Sequence, residues 1–278
     1  MKRFYFVLYG VLSGLLLLVT PFDLALTDAL VGNADGVFHI VSEMGYLPPF
    51  FIGYFGVGYY VWRFSNPKVP AWFRYLVYAG ALIGVVSLSY MFVFSMRFLP
   101  YYLMLSPFMI LSLLVGAYYA SRHVFHKRLF EFDYLAALGM GLIVYLYFSV
   151  TQLKRFFGRA RYYLVSVDET LFTDWYEIQE RAIHRDFYSM PSGHMTFVAV
   201  ALWVVLVVMV IPRTRIPAWK VAVPVFFWIA VQGYARIRMG EHFVTDIVFS
   251  VLYTAMSLHA LYYACRHLRG YLTHRFKI

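Results

Sequence analysis

Ala235 to Asp246 reads ARIRMGEHFVTD and sits between two strongly apolar segments. Arginine, histidine and aspartate are costly there unless they face a cavity or each other. His242 and Asp246 are spaced like neighbours one helical turn apart, so the carboxylate can reach a ring nitrogen and orient it. One nitrogen tied to an acid and the other left free is what a nucleophilic histidine requires. Arg236 adds a cation beside them.

The flanks of this stretch are typical of the whole chain. Of its 278 residues, 62% are hydrophobic and only 14% charged, with a mean hydropathy of +0.66. A soluble domain of this length has no interior large enough for so much apolar surface, so the composition indicates an all-α, polytopic membrane protein. The formal charge of +10 does not indicate nucleic acid, because the basic residues fall between apolar runs and not on one soluble face. Cys265 is the single cysteine, which excludes an intrachain disulfide and a cysteine metal cluster.

A bilayer span needs about 20 apolar residues. The stretches 4–20, 47–64, 75–95, 102–121, 134–153, 193–211, 221–237 and 245–265 meet that need, so about eight spans in one integral membrane domain (1–278) are expected. Met1-Lys2-Arg3 followed by an apolar run reads as an uncleaved first span. Lysine and arginine counts put both termini in the cytoplasm. The outside cations then concentrate in Lys154 to Arg161 and Arg236 to Arg238, and every ion-rich stretch lands on one non-cytoplasmic side. Two outside connections are long. Residues 21–46 are expected to form a helix lying in the interface. In 162–190, Trp175, Ile178 and Ala182 share a helical face and Glu177 pairs with Arg181, which suggests an interfacial helix over Thr173 to Asp186. Arg181 and Arg185 there, with Arg159 nearby, are candidates for contact with a lipid headgroup.

Two further stretches supply what the first lacks. Lys154-Arg155-Phe-Phe-Gly-Arg159-Ala-Arg161 gathers cations at a span end, where a group with spread negative charge could be held. Pro191-Ser192-Gly193-His194 opens a span: Ser192 can cap the helix, Gly193 permits close backbone approach, and His194 falls in the first turn.

Lys-x6-Arg, then Pro-Ser-Gly-His, then Arg-x5-His-x3-Asp, in this order, resembles the signature of the type 2 phosphatidic acid phosphatase (PAP2) superfamily. The matching residues are Lys154 and Arg161, Pro191 to His194, and Arg236, His242 and Asp246, all within 154–246. Tyr162 stands where the family usually has proline, and Ala235 where it usually has serine. The resemblance implies a six-helix core, to which an added hairpin in the first half would bring the expected eight spans. It also implies roles that agree with the chemistry of the residues. His242 attacks phosphorus to form a phosphohistidine, oriented by Asp246. Lys154, Arg161, Ser192, the Gly193 amide and Arg236 cradle the phosphoryl oxygens, and His194 serves as acid and then base. No acidic cluster offers a hard-cation site, so a metal-independent reaction without cofactor is expected.

The activity so implied is hydrolysis of a lipid phosphate at a bacterial-type cytoplasmic membrane, with the site on the periplasmic or outer side. Phosphatidylglycerophosphate, phosphatidic acid, undecaprenyl pyrophosphate and lipid A are the candidate substrates. The partners expected are the lipid and the bilayer, with no nucleic acid and no obligate protein. Phosphate transfer to a second lipid is the alternative within the same chemistry. An anion transporter is disfavoured, because its charges would lie near the midplane and not at span ends.

Overall fold

Leu135, Leu138, Leu142 and Leu146 recur at helical spacing and are all fully enclosed, while Val144, Tyr145, Tyr147 and Phe148 point outward from the same helix. That division, apolar on both faces, is what a helix between a protein core and lipid requires. The computed structural model describes residues 1–32, 36–65, 69–95, 107, 110–111, 115, 132–179, 184–211 and 216–276. Among these every regular element is helical. In order they are α1 (Lys2–Val19), α2 (Asp23–Leu30), α3 (Gly36–Met44), α4 (Leu47–Phe64), α5 (Ala71–Ser95), α6 (Phe132–Phe157), the single turn α7 (Tyr162–Val165), α8 (Gly193–Ala199), α9 (Leu202–Val210), α10 (Ala218–Arg238) and α11 (Val244–Phe276).

Six helical segments are long and apolar enough to cross a membrane: Arg3–Leu30, Ala71–Tyr90, Tyr134–Val165, Gly193–Val210, Ala218–Arg238 and Val244–His267. The chain is a multi-pass membrane protein built as a helical bundle. The expected second span forms α4, whose 18 residues are long enough but are diluted by prolines, glycines and tyrosines. The expected fourth span, 102–121, lies almost wholly outside the described residues.

The long helix α11 is the hub. It packs against α1, α6 and α8, and α4 closes on α6 and α8. Val251, Ala255, Leu258 and Tyr262 form its buried stripe. Ser250 and Thr254 return their hydroxyls to carbonyls four residues back, at 2.6 and 2.9 Å, so small polar residues enter the core with their needs met. Trp203 on α9 donates to the Leu135 carbonyl of α6 at 2.9 Å. By contrast α5 packs chiefly on α4 and keeps an outward apolar face (Leu82, Ile83, Val86, Tyr90).

The two long connections differ from each other. The first, 21–46, expected as one helix in the interface, forms two, α2 and α3, and α2 continues the apolar segment Arg3–Leu30. The second does not form the helix expected over Thr173 to Asp186. Residues 172–179 are turns and irregular chain, and only Arg185–Phe187 makes a short 3-10 turn; Ala182 and Arg181 fall outside the described residues. Tertiary bonds outweigh the local pattern: the Gln179 amide donates to the Phe157 carbonyl at 2.9 Å, and Trp175 Nε1 to Thr20 Oγ1 at 2.8 Å. Glu177 turns back on the Asp174 amide at 3.3 Å. Gly158 makes the first of these possible. Its φ of +58° is a left-handed helix end, and a Cβ there would stand 2.5 Å from the Gln179 carbonyl oxygen.

Candidate active site

The three ion-rich stretches sit at the ends of α6, α8, α10 and α11 that face one another. Backbone bonds bring the first two together: the Arg161 amide donates to the Asp186 carbonyl at 2.9 Å, and the Ser189 amide to the Arg159 carbonyl at 3.1 Å. The third is folded back by Gly240, whose φ of +67° reverses the chain after α10 and returns His242 toward the site.

His242 and Asp246 meet as their spacing suggested, although His242 precedes the helix and does not lie on it. Nδ1 stands 3.5 Å from Asp246 Oδ2, with both side chains buried. The carboxylate is saturated with donors. Ser189 Oγ donates at 2.5 Å and the Phe243 amide at 3.0 Å, both to Oδ2, and Arg159 Nη1 donates to Oδ1 at 2.8 Å. Burial pushes the His242 imidazole down to about 4, the bond to Asp246 acts against that, and Lys154 and Arg236 add to it. The ring is therefore neutral at ordinary pH, with Nδ1 turned to Asp246 and Nε2 on the opposite side of the ring.

Lys154, at the last turn of α6, donates from Nζ to the Tyr188 carbonyl at 2.6 Å. Its Cε lies 3.4 Å from where a Gly193 Cβ would be, so the lysine stem occupies the space that glycine leaves. Ser192 caps α8, its oxygen accepting from the Met195 amide at 3.4 Å and its own proton remaining free to donate. His194 is buried beneath the Tyr46 ring, which meets it edge-on at 4.3 Å. Its Nε2 and the Nε of Arg236 are enclosed without a hydrogen-bond partner among the described residues.

Arg161 and Arg236 converge on one carboxylate. Glu241 Oε2 is bonded by Arg161 Nη1 and lies 3.3 Å from Arg236 Nη2. Burial raises the Glu241 carboxyl, but Arg236 and Arg161 outweigh it and hold the group below its ordinary range, hence ionised. Arg236 also donates to Ser42 Oγ at 3.3 Å. This cluster is partly open, with Arg161 and Glu241 side chains 23% and 30% exposed.

The headgroup contacts expected of Arg159, Arg181 and Arg185 are not all placed as foreseen. Arg159 is turned inward, 1% exposed, and its guanidinium is committed to Asp23, Asp246, Thr245 and the Thr173 carbonyl. It lies over the Phe243 ring at 4.2 Å and has no face left for a headgroup. Arg185 is exposed at the surface in its short 3-10 turn. Arg181 lies outside the described residues.

Several functional neighbours escaped the sequence reading. Glu241 lies inside the Ala235 to Asp246 stretch, one position before His242, and Ser189 lies two positions before Pro191, so a count of polar groups at the span ends flags both. Asp23 carried a weaker signal, a lone acid at a span end after Pro21. Tyr162, the departure from proline, donates to Asp28 of α2 at 2.7 Å and packs on Phe243. Among the described residues no group of three or more histidine, cysteine, aspartate or glutamate side chains is placed to hold a metal ion.

A family model described as the PAP2 superfamily matches residues 131–269, half of the chain. No curated protein and no solved structure matches it.

Proposed function

The chain belongs to the PAP2 superfamily, a family of phosphatases, and from that premise we propose that it removes phosphate from a membrane lipid through a phosphohistidine. His242 Nε2 attacks phosphorus in line as the P–O bond to the lipid breaks. Asp246 at Nδ1 stabilises the imidazolium that forms. His194 gives a proton to the departing lipid oxygen, then takes one from the water that releases inorganic phosphate. Lys154, Arg161, Arg236, Ser192 and the Gly193 amide meet the charge on the phosphoryl oxygens in the transition state. No step calls on a metal or cofactor.

The observation that carries this reading is the Glu241 carboxylate gripped between Arg161 and Arg236 beside a buried, neutral His242. Two cations from distant stretches already share one oxyanion, the arrangement a phosphoryl group requires. The position of the cluster supports a lipid substrate and not a transport path. The charges lie at the ends of spans, next to helices whose outward faces are apolar, so the substrate's phosphate can sit at headgroup level while its chains remain in the bilayer.

The substrate class is a lipid mono- or diphosphate, of which phosphatidylglycerophosphate, phosphatidic acid, undecaprenyl pyrophosphate and lipid A are representative. The lysine and arginine distribution supports a bacterial-type cytoplasmic membrane, cytoplasmic termini and a site on the periplasmic or outer side. The test is release of inorganic phosphate from a lipid panel in detergent with EDTA present and no acceptor added. The native protein should turn over and be inhibited by vanadate. His242→Ala should fold and lose at least about 10⁴-fold in rate. Strict dependence on magnesium, or transfer only to an added lipid acceptor, would overturn the hydrolytic scheme.

A further inference from the structure

Asp23 and Arg159 form an ion pair whose side chains are each 1% exposed, and neither is among the residues assigned above to the phosphoryl group. Arg159 Nη2 donates to Asp23 Oδ2 at 2.8 Å and Nη1 to Asp246 Oδ1 at 2.8 Å, so one guanidinium bridges two carboxylates. Thr245 completes a closed ring. Its amide donates to Asp23 Oδ1 at 2.9 Å and its hydroxyl to Asp23 Oδ2 at 2.5 Å, while Arg159 Nη1 also donates to that hydroxyl at 2.9 Å. All four side chains are buried. A bridged pair of this kind is a costly way to hold helices together, since apolar residues of similar volume would serve as well.

What the cluster does achieve is to fix the far oxygen of Asp246. With Oδ1 taken by Arg159, only Oδ2 faces His242 and Ser189. We propose that Asp23 and Arg159 are positioning residues for the nucleophile, Arg159 orienting Asp246 against His242 and Asp23 setting how much of the Arg159 charge reaches that carboxylate. Asp23 belongs to α2, outside the residues that match the family model. Tyr162 and Asp28 make a second link to the same helix, and Arg238 Nη1 donates to the Leu30 carbonyl at 3.3 Å at its end. Seating of α2 and readiness of His242 are thereby coupled, and the coupling rests on the phosphohistidine reading above.

The charged and titratable groups facing His242 are Asp246 on α11, Lys154 on α6, His194 on α8, Arg236 on α10, and Glu241 beside it. Arg159 and Asp23 act on it only through Asp246, and with opposite signs. Removing the Arg159 charge leaves Asp246 more basic and favours the imidazolium. Removing the Asp23 charge leaves Arg159 to Asp246 alone and disfavours it.

The experiment measures kcat/KM against pH for the full-length protein in detergent on one lipid phosphate, comparing native, Asp23→Asn and Arg159→Gln. The acidic limb is expected to rise by about one unit in Arg159→Gln and to fall in Asp23→Asn. In both, kcat should drop roughly tenfold or more while KM stays within about twofold. Should Arg159→Gln not be recovered folded, Arg159→Lys keeps the charge but loses the fork; kcat then falls with the limb unmoved. Limbs that shift in the same direction, or do not shift in either variant, would overturn the proposal and leave the cluster a structural tie. Native protein that neither releases phosphate nor binds vanadate would instead overturn the phosphatase reading itself.

Discussion

Arg159 and Arg161 are two residues apart, yet they belong to regions with opposite uses. The cluster around Arg159 is sealed, its donors shared among Asp23, Asp246 and Thr245. The cluster around Arg161 is partly open, and Arg161 shares the Glu241 carboxylate with Arg236. In the first, two carboxylates face one guanidinium and nothing further can enter. In the second, two guanidinium groups face one carboxylate and an additional anion is electrostatically welcome. The contrast teaches that counting arginines near a phosphate site says little until the sign of the local surplus is known.

The largest expected effect breaks the comparison at its sealed side. Arg159→Gln strands two buried carboxylates, and a loss of about 3–5 kcal/mol of stability is expected. Arg161→Gln, in a pair open to solvent, should cost under about 1 kcal/mol. Thermal unfolding of the two variants in one detergent checks the difference, and equal losses would erase the distinction drawn here.

Activity should rank the open side higher. Arg161→Gln is expected to lower kcat/KM for a lipid phosphate by roughly 10²–10³, the usual consequence of deleting a donor that meets developing charge. Steady-state phosphate release measures it.

A third expectation concerns pH. His242 is held at about 4 in the folded protein, below the unfolded value of about 6.5. Between those values the unfolded chain binds the extra proton, so stability rises with pH through that window and falls as the medium is acidified from 6.5 toward 4. The contribution lost by pH 5 is of the order of 2 kcal/mol. Comparing native protein with His242→Gln, which lacks the titrating ring, isolates it: the acid-side loss of melting temperature should shrink in the variant.

The smallest effect sharpens the comparison at its open side. Glu241→Gln removes the anion that competes for Arg161 and Arg236, and vanadate or inorganic phosphate should bind several-fold more tightly, about 1 kcal/mol. An inhibition constant that is unchanged would mean that the glutamate does not occupy the oxyanion position.

Much of this protein could be read without coordinates. Composition alone placed it in a membrane, because apolar surface on that scale has no soluble interior to occupy. The spacing of His242 and Asp246 brought them together even though the helix begins only at Val244, since a four-residue separation closes over a capped helix start as well as along a helix. The family signature was legible for the same reason: each of its parts is short and local. The helix expected over Thr173 to Asp186 shows the limit, for its amphipathic pattern was real but Gln179 and Trp175 found partners elsewhere in the chain.

The sequence by itself determined the class of fold, the three ion-rich stretches and the residue types they carry. Only the tertiary structure decided which arginine points inward, that Asp23 joins the site from a distant helix, and that Glu241 fills the space between two cations. Periodicity and spacing act over a few residues, whereas the fate of a charge depends on which opposite charge is folded against it, and that partner can lie more than a hundred positions away.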